Sequence, residues 1–108
     1  MAQLDVVIEQ RTKMAVAAVS RFGRVVRAYL FGSQVEGTAD RWSDIDLAVF
    51  VEGVESWDMH YRARVAAQVQ KTAGDDVEIH FIPAKTLQER DEASFAAWVL
   101  THGVEVRI

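Results

Sequence analysis

Asp44 and Asp46 are two carboxylates separated by one residue, a spacing that can serve metal chemistry. They open the run 44–51, whose alternating apolar residues predict a β-strand with one face in the core. Side chains two residues apart on a strand point to the same side, so the two negative charges repel unless a cation lies between them. Mg²⁺ prefers oxygen ligands and typically binds one or two carboxylates together with substrate phosphates. Taken alone, such a pair is more often a solvated sheet face.

A glycine–serine pair precedes the two aspartates. Gly32 and Ser33 follow the run 25–31, which is rich in β-branched and aromatic residues and predicts a buried strand feeding a tight turn. Glycine lets the backbone approach a phosphate, and the Ser33 hydroxyl adds a hydrogen-bond donor. On the pair alone, a serine that caps the turn is the commoner arrangement, with the glycine needed only for the bend. No lysine follows the glycines, which excludes a standard P-loop.

A third acid lies on a later predicted strand. The run 77–81 alternates apolar and polar residues, which places Glu78 and His80 on the side away from the predicted core. Asp44 and Asp46 have the same phase, so adjacent strands would bring Glu78 onto one patch with them. Three acids suit two metal ions, one of which activates an attacking hydroxyl while the other stabilises the leaving pyrophosphate.

Other interpretations of this patch stay open at this point. Glu78 could be an exposed strand residue, and Asp75 or Asp76 could supply the third acid instead. His80 could touch a substrate or act as a base, but we interpret it as a partly buried, hydrogen-bonded histidine.

The rest of the chain predicts the elements that must position these residues. Helical spacing, strand alternation and turn residues predict three longer helices, one short helical turn after Ser33, and four strands. The longer helices and strands are expected at 4–22, 25–31, 44–51, 57–73, 77–81, after 91, and at 104–108. Their order predicts an α/β fold in which a small mixed β-sheet is flanked by helices. In the last helix, Phe95, Trp98 and Val99 are assigned to the core, with an interface as the alternative.

Composition limits the classes of function. The chain has 108 residues, of which 50% are hydrophobic and 26% charged, so we expect a single globular domain over 1–108. The net charge of −4 provides no basic field for a phosphate backbone, so nucleic acid is not expected as a main partner. With no cysteine, a disulfide framework and a thiolate metal site are excluded. The sequence has neither a signal-peptide pattern nor an apolar run of about 20 residues, so we expect a cytoplasmic protein without membrane contact.

The spaced motifs together resemble a known family. The segment from Gly32 to Gly37, followed by the segment 43–49, is similar to the motif of the minimal nucleotidyltransferases, within the DNA polymerase β-like nucleotidyltransferase superfamily. The resemblance implies a polymerase β palm-like fold and places the triphosphate of ATP, or of another nucleoside triphosphate, against Gly32 and Ser33. It also implies that three acids bind Mg²⁺ and carry catalysis. These acids are Asp44, Asp46 and Glu78.

The resemblance also implies a partner. Small members of this family are commonly antitoxins of HEPN-domain ribonuclease toxins, so the expected reaction is transfer of AMP from ATP to a tyrosine of such a toxin. Little chain follows the predicted core, so we expect the partner to supply the surface that holds the acceptor hydroxyl. Self-association stays open. The competing hypothesis is a binding module with a weak or inert nucleotide site, because Gln34, Val35 and Glu36 bring no positive charge to the loop.

Overall fold

Four strands form one sheet in the computed structural model, which describes residues 6–37, 44–89 and 91–107. In chain order they are β1 (Val25–Phe31), β2 (Ile45–Val51), β3 (Val77–Pro83) and β4 (Val104–Val106). Their order across the sheet is β3-β2-β1-β4. β2 and β3 are parallel, while β1 is antiparallel to both β2 and β4. The predicted mixed sheet is therefore confirmed.

Four α-helices accompany the sheet. They are α1 (Val6–Ser20), α2 (Ser33–Glu36), α3 (Met59–Ala73) and α4 (Phe95–His102). Two short 3₁₀ helices, Val54–Ser56 and Ala84–Leu87, were not predicted. The loop expected after α2 and the first residues of the predicted first helix fall partly on 38–43 and 1–5, which lie outside the described residues.

Local caps explain where two of the helices begin. The Asp58 carboxylate accepts a hydrogen bond of 2.8 Å from the Tyr61 N–H, so α3 begins after Asp58 and not at Trp57. Trp57 instead ends the first 3₁₀ helix in an extended conformation. The Ser94 hydroxyl accepts a bond of 3.1 Å from the Ala97 N–H and caps α4 in the same way.

The two faces of the sheet carry separate hydrophobic clusters. α1 and α3 cover one face and bury, among others, Val19 and Val65 against Leu47. α4 covers part of the other face. β2 was expected to have one core face, but Ala48 and Phe50 on its second face are also fully buried. Because β2 is a central strand between these two layers, both of its faces are covered beyond its first residues.

α4 corrects one prediction about the core. Val99 is fully buried, as expected, but 46% of Phe95 and 39% of Trp98 remain exposed. Ala96 and Val99 are the α4 residues that are buried in the cluster on this face of the sheet. Phe95 and Trp98 lie three residues apart on a neighbouring stripe of the helix, so they flank this contact without being covered by it.

No helix in the described parts of the chain is both long enough and apolar enough to cross a membrane.

Candidate active site

Three strand ends meet at one edge of the sheet. The carboxyl end of the antiparallel strand β1 lies beside the amino ends of β2 and β3. In this register Asp46 is the pairing partner of Phe31 on one side and of Glu78 on the other. Two residues further along both strands, Ala48 pairs with His80. The register therefore brings Asp46, Glu78 and the turn after Phe31 to the same place.

Asp46, Glu78 and His80 form a compact group. Each offers one ligand atom, and these three atoms lie within 4.8 Å of one another. The His80 Nε2 atom is 3.8 Å from Asp46 Oδ1 and 3.7 Å from Glu78 Oε1. Two carboxylates and an imidazole are a donor set that fits a divalent metal ion. The structure thus brings Glu78 next to Asp46, as the alternation of β3 predicted.

Asp44 lies near this group without joining it. It directly precedes β2 and is exposed, and it is not one of the three described residues whose ligand atoms converge. Its negative charge nevertheless raises the pKa of Asp46. The predicted pair is therefore coupled electrostatically, while the close contacts of Asp46 are to residues of β3.

Burial is the main cause of the raised pKa of the Asp46 carboxyl. Loss of solvent raises the pKa of the Asp46 carboxyl, and the negative charge of Glu78 raises this pKa further, whereas His80 lowers it. A carboxylate that is partly buried beside a second one is costly to ionise without a cation. The electrostatics of the group therefore favour binding of a positive charge.

The backbone conformation at position 32 and the closeness of Asp46 both require a glycine there. Its φ of 81° and ψ of −152° lie in a region that is essentially restricted to glycine. A Cβ atom on Gly32 would lie 2.6 Å from Asp46 Oδ2, closer than van der Waals contact allows. The glycine therefore lets the turn approach the Asp46 carboxylate.

Ser33 is not the cap of α2. Gly32 occupies the N-cap position, and the N–H groups of Val35 and Glu36 both donate to the Gly32 carbonyl oxygen at 3.0 Å. The structure gives the Ser33 hydroxyl no hydrogen-bond partner among the described residues. The capping interpretation is thus not observed, and the hydroxyl is left available for a ligand.

Asp76 has a different role from Glu78. Arg11 donates to both Asp76 carboxylate oxygens, with Nη1 at 3.1 Å from Oδ2, and Arg11 Nε donates to the Ala73 carbonyl oxygen at 2.9 Å. This arginine lowers the pKa of Asp76. Asp75 is exposed and lies outside the converging group of described residues. Of the candidate third acids, only Glu78 faces Asp46.

A family model described as a nucleotidyltransferase domain matches residues 12–97, which is most of the chain. This chain belongs to the nucleotidyltransferase domain family. No curated protein sequence matches it.

Solved structures share this fold. The chain is similar to the crystal structure of a toxin–antitoxin with AMP-PNP, with 25% identity and a TM-score of 0.59, over 92% of this chain and 72% of the other. It is also similar to a candidate nucleotidyltransferase from Sulfolobus solfataricus, with 19% identity and a TM-score of 0.52, over 82% and 84% of the two chains. The predicted nucleotidyltransferase fold is confirmed.

For His80 the sequence predicted the side of β3 on which it lies, but not that it joins the two acids of this nucleotidyltransferase domain as a candidate ligand. We expected a hydrogen-bonded histidine, but within the described residues its buried Nε2 atom has no hydrogen-bond partner. Its position two residues after Glu78 predicted that both side chains lie on one side of β3, and the structure confirms this placement.

Aromatic rings border the acids of the nucleotidyltransferase domain on one side. The His80 ring contacts Phe31 and Phe95, with ring centroids 5.1 Å and 5.7 Å away. Phe31 also contacts Trp98 edge to face at 5.9 Å. The group of Asp46, Glu78 and His80 therefore adjoins the exposed aromatic stripe of α4.

Proposed function

We propose that this chain is a Mg²⁺-dependent nucleotidyltransferase that moves a nucleoside monophosphate, AMP from ATP, to a hydroxyl group of a partner protein. The observation that carries the proposal is the meeting of Gly32, Asp46 and Glu78 at one sheet edge in a member of the nucleotidyltransferase domain family. Membership of the family alone would not support a reaction. The two carboxylates beside the glycine turn provide the site that the reaction requires.

The residues divide into two groups by role. Asp46 and Glu78, with Asp44 beside them, would hold Mg²⁺. The bound metal supplies neutralisation of the phosphate charge and lowers the cost of generating the attacking oxyanion. Gly32 and Ser33 would receive the β- and γ-phosphates, since the glycine has no side chain in the way and the hydroxyl is free to donate.

The reaction exchanges one phosphorus–oxygen bond for another. The acceptor oxygen attacks the α-phosphorus, the bond from this phosphorus to the oxygen bridging to the β-phosphate breaks, and pyrophosphate leaves. The acceptor proton passes to solvent. The acceptor must lie about 3–3.5 Å from the α-phosphorus and in line with the leaving oxygen, and holding it there contributes much of the rate.

A HEPN-domain toxin is the partner that we propose, with this chain as its cytoplasmic antitoxin. One structural relative is a toxin–antitoxin with AMP-PNP, which pairs the same fold with a nucleotide analogue and a protein partner. Phe95 and Trp98 are exposed beside the acids, where a docking protein could cover them. The net charge of −4 suits a basic partner such as an RNA-cutting enzyme.

A binding module is the second candidate. In that case the chain neutralises its partner by covering it, and the exposed aromatic stripe of α4 would carry the contact. The α2 residues Gln34, Val35 and Glu36 bring no cation to a triphosphate, which favours this candidate. Inhibition that survives loss of the acids would support the binder, whereas inhibition that requires ATP would support the enzyme.

Intact-mass measurement of the partner tests the proposal. The product of the neighbouring gene is incubated with this chain, ATP and Mg²⁺, and one added AMP or more is the expected result. Asp46→Asn should leave the partner mass unchanged, and Asp76→Asn is the matched control that should keep transfer. Labelling of small hydroxyl acceptors such as aminoglycosides, with an unmodified partner, would contradict transfer to protein.

A further inference from the structure

The His80 imidazole presents a buried nitrogen to the two acids. Its Nε2 atom is out of contact with solvent and has no hydrogen-bond partner within the described part of the chain. The distances to Asp46 Oδ1 and Glu78 Oε1, 3.8 Å and 3.7 Å, are too long for hydrogen bonds. Buried polar atoms without partners are rare in folded proteins, and an ion that binds there is one of the recognised explanations.

The same distances suit atoms that share one metal ion. Oxygen and nitrogen ligands lie about 2.1 Å from a small divalent cation, so two of them are at most about 4.2 Å apart. Both separations from Nε2 fall below this limit. The three side chains also come from two adjacent parallel strands, whose pairing of Asp46 with Glu78 and of Ala48 with His80 sets their positions.

Packing holds the ring in this orientation. The His80 ring contacts Phe31 at 5.1 Å and Phe95 at 5.7 Å between ring centroids. A side chain packed against two aromatic rings that also contact each other loses less rotational freedom when it binds an ion, because its motion is already restricted. The nitrogen is therefore positioned before any ligand arrives.

A nitrogen ligand changes the metal that the site prefers. Sites built only from carboxylate and phosphate oxygens suit both Mg²⁺ and Mn²⁺, whereas an imidazole nitrogen is a ligand that first-row transition metals accept more readily than Mg²⁺ does. Mn²⁺ also accepts the carboxylate and phosphate oxygens that the proposed reaction requires. We propose that His80 Nε2 binds the same divalent ion as Asp46 and Glu78, and that this ligand raises the affinity of the site for Mn²⁺ more than its affinity for Mg²⁺. The inference rests on the metal site of the proposed function.

Metal titration of the full chain is the first test. Mn²⁺ binding is followed by the electron paramagnetic resonance signal of the free ion, and Mg²⁺ binding by calorimetry. His80→Phe keeps a ring against Phe31 and Phe95 but removes the nitrogen, so it should weaken Mn²⁺ binding by about tenfold or more and change Mg²⁺ binding far less. His102→Phe is the matched control, because that ring stacks on Trp98 at 4.9 Å and lies outside the converging group.

Electron spin-echo spectroscopy of bound Mn²⁺ supplies a readout that a purely structural role of His80 would not give. Wild type and His102→Phe should both show coupling to a ligand ¹⁴N nucleus, and His80→Phe should lose it. If His80→Phe fails to fold, the double variant His60→Phe/His102→Phe labelled with ¹⁵N-histidine answers the question, since His80 is then the one histidine of the sequence and the coupling frequency must change to that of ¹⁵N.

The outcomes separate the inference from the proposed function. Bound Mn²⁺ without nitrogen coupling, together with unchanged Mn²⁺ affinity in His80→Phe, would overturn the inference and show that His80 is a neighbour of the acids that does not bind the ion. Transfer to the partner would still be observed in that case. If Asp46→Asn left Mn²⁺ affinity unchanged, the metal site itself would be wrong, and the proposed function would fail with the inference.

Discussion

Asp76 and Glu78 are two acids at the same sheet edge that meet opposite environments. The residues 74–76 form a turn, in which the Val77 N–H donates to the Gly74 carbonyl oxygen at 3.2 Å, so regular strand alternation begins only at Val77. Asp76 is consequently free to face Arg11 of α1. Glu78 lies inside β3 and faces Asp46.

In these two environments the pKa of Asp76 is lowered and the pKa of Asp46, the neighbour of Glu78, is raised. Arg11 lowers the pKa of Asp76, because the guanidinium donates hydrogen bonds to its ionised form. Burial and the charge of Glu78 raise the pKa of Asp46, because nothing in its surroundings fully compensates its negative charge. A carboxylate with its own arginine contributes to the fold, whereas carboxylates crowded together without one cost stability and are typical of binding sites.

The largest expected effect is on nucleotidyl transfer, which should require Asp46 and Glu78 but not Asp76. Asp46→Asn should reduce nucleotidyl transfer by at least about a hundredfold, the scale on which one preorganised electrostatic group acts. Glu78→Gln should also reduce transfer severely, whereas Asp76→Asn should keep it. Transfer rates with ATP, Mg²⁺ and the partner protein measure this, with circular dichroism as a check on folding. An active Glu78→Gln with an inactive Asp76→Asn would mean that the third acid is Asp76.

Glycine substitutions sharpen the comparison, because each region contains a glycine with positive φ. Gly32→Ala should cost about 1–3 kcal/mol of folding free energy and abolish metal binding, since its new Cβ meets Asp46. Gly74→Ala, with φ of 124°, should disturb the Arg11–Asp76 pair but leave metal binding intact. Urea denaturation and Mn²⁺ titration give the two readouts.

Gly53→Ala is the control for backbone strain alone. Gly53 has φ of 75° and nothing within 4 Å of its added Cβ. The substitution should cost about 1 kcal/mol of folding free energy and leave metal binding unchanged. If Gly32→Ala also left metal binding unchanged, the close approach of Gly32 to Asp46 would not be needed for metal binding.

Removal of the arginine should have a smaller effect. Arg11→Met loses the pair with Asp76 and the hydrogen bond to the Ala73 carbonyl oxygen at the end of α3. The side chains of Arg11 and Asp76 are 26% and 39% exposed, so solvent screening limits the loss to about 1 kcal/mol. Thermal denaturation should show a lower melting temperature, while metal affinity stays at the wild-type value. A loss of Mn²⁺ binding would show that the two regions are not independent.

The smallest expected effect is on the free energy of unfolding, which Asp46→Asn and Asp76→Asn should change in opposite directions at neutral pH. Because the pKa of Asp46 is raised, ionised Asp46 costs stability above that pKa, and Asp46→Asn should be the more stable protein at neutral pH. Because the pKa of Asp76 is lowered, its contribution is present above the ordinary value of 3.8 and is lost as pH falls through the lowered pKa. Asp76→Asn should therefore be the less stable protein at neutral pH.

Urea denaturation in chelator, from about pH 3 to pH 7, measures both differences. The Asp46 difference should disappear as pH falls below 3.8, because the carboxyl is then protonated in both the folded and the unfolded chain, whereas the Asp76 difference should begin to shrink below 3.8, because its folded carboxyl stays ionised down to the lowered pKa. Two differences of the same sign at neutral pH would contradict the assignment of one acid to structure and the other to binding.

Much of the fold was predictable because it depends on local periodicity. The β-branched and aromatic run 25–31 coincides with β1, and the alternation of 44–51 and 77–81 located β2 and β3. The predicted phase of Glu78 also holds, since it depends only on strand alternation. The exposure of Phe95 and Trp98 was predicted wrongly, because periodicity does not show how wide a stripe the sheet covers.

The sequence by itself determined which chemical groups exist and on which side of each strand they lie. Only the tertiary structure decided which of them meet. The parallel pairing of β2 with β3 sets Glu78 opposite Asp46 and directs His80 toward both, while the packing of α1 gives Asp76 its arginine. The physical reason is that strand register and helix docking depend on contacts between residues far apart in the chain, which local propensity does not contain.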